Sequence, residues 1–148
     1  MFRGVAQLAL DVKFRFAIPA KYREAISARC GGRLVITADP STCLLIYPQC
    51  DWEPIQEKLM GLSSFNSRMR GLQRLLVGYA EDVEMDSAGR ILLSPSLREF
   101  SGVERRAMLV GQGNKFEVWD EAKWSTQRDH ALEFCDTEIP EELEGFSL

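Results

Sequence analysis

One segment of this chain occurs twice, 75 residues apart. Leu10-Asp11-Val12-Lys13-Phe14-Arg15-Phe16-Ala17-Ile18-Pro19 is followed by Tyr22-Arg23-Glu24. Met85-Asp86-Ser87-Ala88-Gly89-Arg90-Ile91-Leu92-Leu93-Ser94-Pro95 is followed by Leu97-Arg98-Glu99. Both read D-x-x-x-R, then an apolar run, then a proline and a helix start carrying R-E, with one residue of slip before the proline. The segments downstream of each copy also correspond: Leu34-Val35-Ile36 answers Met108-Leu109-Val110, and Leu44-Leu45-Ile46-Tyr47 answers Phe116-Glu117-Val118-Trp119. A repeat must be found before any fold is read, because it sets the unit of structure. Each unit alone has short strands and open edges, which are unstable and sticky. Two units on one chain are therefore expected to pair edges and share one core.

Periodicity and punctuation give the elements. Strands are expected at Val5–Ala9 and Phe14–Ile18 around a turn at Asp11–Lys13. A helix is expected over Ala20–Arg29, opened after Pro19 and stopped by Gly31-Gly32. Leu34–Thr37 and Cys43–Tyr47 read as a hairpin around Asp39-Pro40-Ser41. Trp52–Leu62 and Asn66–Val77 read as helices. The second unit repeats with strands at Ala80–Met85, Arg90–Leu93, Ala107–Val110 and Phe116–Trp119. Its helices are a short one at Ser96–Phe100 and a last one from Glu121 to near Phe134. From Asp136 the tail has no strong period and is expected to fray. The corresponding divisions are 1–50 and 79–122 for the two units, 51–78 for a helical connection, and 123–148 for the last helix and acidic tail. Trp52, Trp119 and Trp124 read as core anchors. Met60, Leu62, Phe65, Met69 and Leu72 fit either the chain's own core or a neighbouring subunit. Arg68, Arg70 and Arg74 read as solvated charges or as partners for acidic segments between subunits.

The formal charge is −4, but it is unevenly spread. Residues 129–148 hold seven acidic side chains and no Lys or Arg, so the rest of the chain is net positive. Residues 1–33 carry seven Lys or Arg against Asp11 and Glu24. A basic front on such a chain permits anion binding on one face. Cys30, Cys43, Cys50 and Cys135 lack the paired spacing of a zinc site, and the single histidine is His130. They are expected to be buried or incidental thiols. With one histidine, no phosphate loop and no nucleophile–base pair, no enzyme chemistry, cofactor or metal is expected. No apolar run nears the ~18 residues that span a bilayer. The stretch Val5–Leu10 is too short for a secretory leader, so the expected compartment is cytoplasmic.

An Asp opening a tight turn caps nearby backbone N–H groups, and a glycine supplies positive φ. The Arg four residues on can pair with it. A guanidinium held that way suits bidentate contact with a phosphate or a guanine edge. One D-x-x-x-R is equally an ordinary turn salt bridge of small value. Its duplication in matched context favours function. Asp11, Phe14, Asp86 and Gly89 are thus the turn-forming positions, and Arg15 and Arg90 the candidate contacts. Lys13 and Arg3 are candidates for sequence-independent phosphate contact.

These turns with their prolines resemble the MraZ family, together with Met1-Phe2-Arg3-Gly4, Arg74-Leu75-Leu76-Val77-Gly78 and the run Leu109 to Asp120. The resemblance covers residues 1 to about 130. It implies an α+β fold of two tandem AbrB-like (SpoVT/AbrB) swapped-hairpin β units forming an intramolecular pseudo-dimer barrel, with flanking helices. It also implies a ring-shaped homo-oligomer such as an octamer, associated with the nucleoid. Such a ring binds tandem promoter boxes of double-stranded DNA ahead of the cell-division and cell-wall gene cluster, as a repressor. No membrane, cofactor or small-molecule substrate is implied. The family usually has Gly before the Arg in both halves, whereas this chain has Phe14 in the first. A bulky residue at positive φ costs on the order of 1–3 kcal/mol. The first turn is therefore expected either to take another geometry or to expose Phe14 at its tip. Two other readings stay open: a ring-forming protein that acts on a protein partner through its acidic tail, and an AbrB-like antitoxin.

Overall fold

The structure, a computed structural model, describes residues 1–137 and 140–146, with side chains through 134 and from 140. The chain runs β1 (Phe2–Ala9), β2 (Arg15–Ala17), α1 (Ala20–Cys30), β3 (Arg33–Ala38), β4 (Leu44–Pro48), α2 (Gln49–Met60) and α3 (Ser67–Leu76). It continues with β5 (Glu81–Glu84), β6 (Arg90–Leu92), α4 (Pro95–Ser101), β7 (Arg106–Gly113), β8 (Phe116–Asp120) and α5 (Glu121–Thr137). A 3-10 turn spans Glu141–Leu143. The last helix thus passes Asp136, where fraying was expected, while residues 138–139 and 147–148 lie outside the described residues.

The two units are interleaved. Hairpins β3–β4 and β7–β8 meet through β4 and β8 to form the middle of a six-stranded antiparallel sheet, in the order β1-β7-β8-β4-β3-β5. Strand β1, from the first unit, pairs along its length with β7 of the second. Strand β5, from the second, pairs with β3 of the first. Strands β2 and β6 form a separate two-stranded ribbon. The expectation of shared edges holds. The expectation of a closed barrel does not: β1 and β5 are open edges, and the ribbon is not joined to the sheet by strand pairing.

Adjacent residues of the central strands point to opposite faces, and here both faces are covered. Leu34, Ile36, Leu44, Ile46, Leu109 and Val118 enter one cluster with Phe16, Ile18, Ile91 and Leu93 from the ribbon region and Tyr22, Ile26 and Leu97 from α1 and α4. Val35, Leu45, Tyr47, Val110 and Trp119 enter the other, closed by Trp52, Ile55 and Leu59 of α2, Leu76 of α3 and Trp124 of α5. The continuous apolar runs in β3 and β4 follow from this double burial. Trp52 and Trp119 are buried anchors, and Trp124 is half-buried. Met60, Leu62 and Phe65 lie outside the chain's own core, Phe65 almost fully exposed at 97%. Arg68, Arg70 and Arg74 are exposed.

Glycines matter where backbones crowd. Gly31 (φ 65) closes α1 in the left-handed region, its N–H donating to the Ser27 carbonyl at 3.1 Å. Gly111, opposite Gly4, lies so close to β1 that a β-carbon there would sit 2.5 Å from Arg3 backbone atoms.

The cysteine expectation needs one correction. Cys30 ends α1 and Cys50 lies in the first turn of α2, and the two form a disulfide with Cα atoms 6.2 Å apart. Spacing could not show this, because two consecutive hairpin strands bring those helix ends together. Cys43 is a buried free thiol whose pKa is pushed up by that burial. The side chain of Cys135 lies outside the described residues.

Candidate nucleic-acid interface

The duplicated motif makes the same turn twice. In the first, Asp11 N–H donates to the Arg15 carbonyl at 2.8 Å and Phe14 N–H to the Asp11 carbonyl at 2.9 Å. The Asp11 carboxylate accepts from the backbone amides of Lys13 and Arg15, each at 2.9 Å, and from Arg15 Nε at 2.9 Å. In the second, Asp86 N–H donates to the Arg90 carbonyl at 3.0 Å and Gly89 N–H to the Asp86 carbonyl at 2.9 Å. The Asp86 carboxylate accepts from the amides of Ala88 (2.9 Å) and Arg90 (2.8 Å) and from Arg90 Nε (2.8 Å). The loop at Asp39 repeats the backbone pattern, with Thr42 at φ 71, but ends in Cys43 rather than an arginine.

Holding Nε leaves the outer nitrogens of each guanidinium free to contact a ligand. Both Asp11 and Asp86 are held below the ordinary aspartate value of 3.8. The amide of the arginine four residues on is the largest cause, its guanidinium helps, and partial desolvation opposes. A carboxylate with a lowered folded pKa lends stability that is present above the unfolded value and lost as pH falls through the folded one. The turns should therefore stay pinned at neutral and mildly acidic pH and loosen only below the ordinary aspartate range. In carboxyl NMR titration, both midpoints should fall below 3.8. Arg15→Ala should raise the Asp11 midpoint and leave that of Asp86 in place. A midpoint at or above 3.8 in the parent would contradict this geometry.

The ribbon sets where the two arginines point. Arg15 pairs with Leu92, Phe16 with Ile91, and Ala17 with Arg90. Cross-strand partners share a face and alternate residues share a face. Arg15, Ala17, Arg90 and Leu92 are therefore on one side, while Phe16 and Ile91 (1% exposed each) are pressed into the core on the other. Arg15 and Arg90 are diagonal neighbours, with Cα atoms about 7–8 Å apart. Their side chains remain 29% and 39% exposed. Lys13 is exposed at the tip of the first turn. Arg3 is exposed too but stands apart, near the start of β1, about 20 Å of extended strand from the turn.

Two further arginines emerge that the sequence marked only as part of a repeated R-E. Arg23 Nε donates to the Ile18 carbonyl at 2.7 Å, and Arg98 Nε to the equivalent Leu93 carbonyl at 3.2 Å. Each crosses onto the other unit's turn. Arg23 lies against Gly89, where a β-carbon would come within 2.2 Å of its Nε. The Arg98 guanidinium covers the Phe14 ring at 3.5 Å. This accounts for the substituted glycine: Phe14 keeps the left-handed geometry (φ 61 against 74 at Gly89) and stacks on Arg98. The stack recovers about 0.5–1 kcal/mol of the backbone cost. Among the described residues no group of three or more His, Cys, Asp or Glu is placed to hold a metal ion, and no helix is long and apolar enough to cross a membrane.

Comparison with known proteins matches this duplicated architecture. A family model described as "MraZ protein, putative antitoxin-like" fits residues 1–75 and again residues 76–146. The chain belongs to the MraZ family. Its two family matches begin as far apart as the two turns do. A Nitrosomonas eutropha member named "Transcriptional regulator MraZ" is 61% identical over 148 residues, the whole of both chains. Members with the same name from Nitrosospira multiformis and Shewanella baltica are 61% and 50% identical, again across the full length of both chains.

Proposed function

We propose that this MraZ-family chain is a transcriptional regulator that binds double-stranded DNA without catalysis, using the β2–β6 ribbon. One observation carries the reading: two Asp-held guanidiniums, Arg15 and Arg90, share one exposed face of that ribbon. Forked donors fixed at this spacing suit guanine edges or phosphates. Lys13 adds a sequence-independent phosphate contact, with Arg3 as an outlying one. The names of the full-length relatives support the regulatory role.

The exchange of β1 and β5 between units supports a swapped-hairpin pseudo-dimer, with unit boundaries near 1–50 and 79–122. The exposed Met60, Leu62 and Phe65 support assembly of copies into a ring. A ring gains affinity on tandem promoter boxes through effective concentration rather than through one tight module. In this reading the ring sits on the nucleoid and represses the cell-division and cell-wall gene cluster.

The test is titration of a labelled tandem-repeat promoter fragment. Arg15→Ala and Arg90→Ala should each cost roughly 1–3 kcal/mol per site and relax specificity. Binding should fall log-linearly with salt and survive deletion of the acidic tail. If both single variants bind like the parent at physiological salt, the assignment is wrong.

A further inference from the structure

Exchanging the two units carries Asp11 onto Asp86, Arg15 onto Arg90 and Arg23 onto Arg98, bond for bond. Even the links that close the ribbon correspond: Ile18 N–H donates to the Gly89 carbonyl and Leu93 N–H to the Phe14 carbonyl, each at 2.9 Å. The correspondence fails at the turn tips. Val12-Lys13-Phe14 in one stands against Ser87-Ala88-Gly89 in the other. The first tip is bulky, cationic and exposed, with Val12 88% accessible and Phe14 37%. The second is small and uncharged.

The tips lie at opposite ends of the ribbon, because each turn directly precedes its strand and the strands are antiparallel. The difference extends beneath them. At the second tip Arg23 occupies the space a β-carbon would need. At the first, Phe14 fills that space and Arg98 rides on its ring. Arg105 flanks only the first turn, its carbonyl accepting from Leu10 N–H at 2.8 Å. It lines a cleft with Phe14, Arg98, Glu99 and Glu104, where two cations face two carboxylates, and Lys13 stands outside that cleft.

We infer that the Val12-Lys13-Phe14 tip fixes the direction in which this chain lies on a non-palindromic duplex site. The inference rests on the DNA-binding reading above. A head with matched ends would bind such a site equally well in both directions. A lysine at one end supplies a phosphate contact that the other end lacks, and the partly exposed Phe14 ring adds bulk at the first tip where the second carries only Gly89. Lys13 and Phe14 thereby act as specificity determinants for orientation, while Arg15 and Arg90 do the gripping.

Ethylation interference tests this on a duplex holding one site, selected by the full-length protein from a random pool. With the parent, the phosphates whose ethylation blocks binding should extend further at one end of the site. With Val12→Ser, Lys13→Ala and Phe14→Gly combined, the pattern should become even about the centre. The salt slope should also drop by about one per bound head. The triple variant only copies a tip that already folds in this chain. Should it melt early, Lys13→Ala alone must still erase the extra phosphates at that end. An even pattern with the parent, or an uneven one that survives in the variants, overturns the inference. Arg15→Ala separates the two ideas: unchanged affinity there sinks DNA binding by the ribbon itself.

Discussion

Gly111→Ala is expected to destabilise the protein by roughly 3–5 kcal/mol, the range of a lost core anchor. The new β-carbon would lie 2.5 Å from the Cα and N of Arg3 and 2.8 Å from its carbonyl carbon. Those are backbone atoms, so no rotamer change relieves the clash, and the start of β1 must leave β7. That strand end carries Phe2, stacked on Phe116 at 4.3 Å and edge-on to Tyr22 at 6.0 Å. The Tyr22 hydroxyl also donates to the Arg3 carbonyl, and among the described residues β7 is the one strand paired with β1. Urea melts should show the loss, with hydrogen exchange accelerating at residues 2–5 first. A variant within about 0.5 kcal/mol of the parent, the usual range for a neutral surface change, would refute the close approach.

Removing the Cys30–Cys50 bond is the second large effect. It links residues 20 apart in sequence. In the loop-entropy account, a closed loop of that length constrains the unfolded chain by about 3 kcal/mol. For a chain of this size that corresponds to roughly 6–12 °C in melting temperature. Thermal melts with and without a reductant should separate by that amount. Cys30→Ser with Cys50→Ser should melt at the reduced temperature and ignore the reductant. Identical melts for oxidised parent and double variant would show that the bond contributes nothing. The adjacent Arg29–Asp51 ion pair, whose Arg29 side chain is 56% exposed, adds little to this difference.

Much of the site was legible because its logic is local. An Asp that caps a turn, and an arginine four residues on that returns to it, need no tertiary information. The repeat then said that it happens twice. The helix stop at Gly31 and the buried tryptophans were visible for the same reason. The features that escaped depend on contacts between units. The R-E arginines carry no local signal for reaching across to the other unit's turn. Phe14 is anomalous in sequence because Arg98, the side chain stacked on its ring, comes from the other unit. The disulfide joins two helix ends that only the hairpin between them makes neighbours. The expected barrel failed on a long-range matter as well: β2 and β6 pair with each other and leave the sheet open at β1 and β5.

The interleaving has a consequence for synthesis. When residue 50 leaves the ribosome, Phe2 has no Phe116 to stack on and β3 has no β5 along its outer edge. Strand β1 must then wait for β7, about 60 residues later, which at 5–20 residues per second is roughly 3–12 s. During that interval the nascent first unit exposes an unpaired strand and an unfinished apolar face, so slow translation through the α2–α3 stretch would hold the chain in its stickiest state.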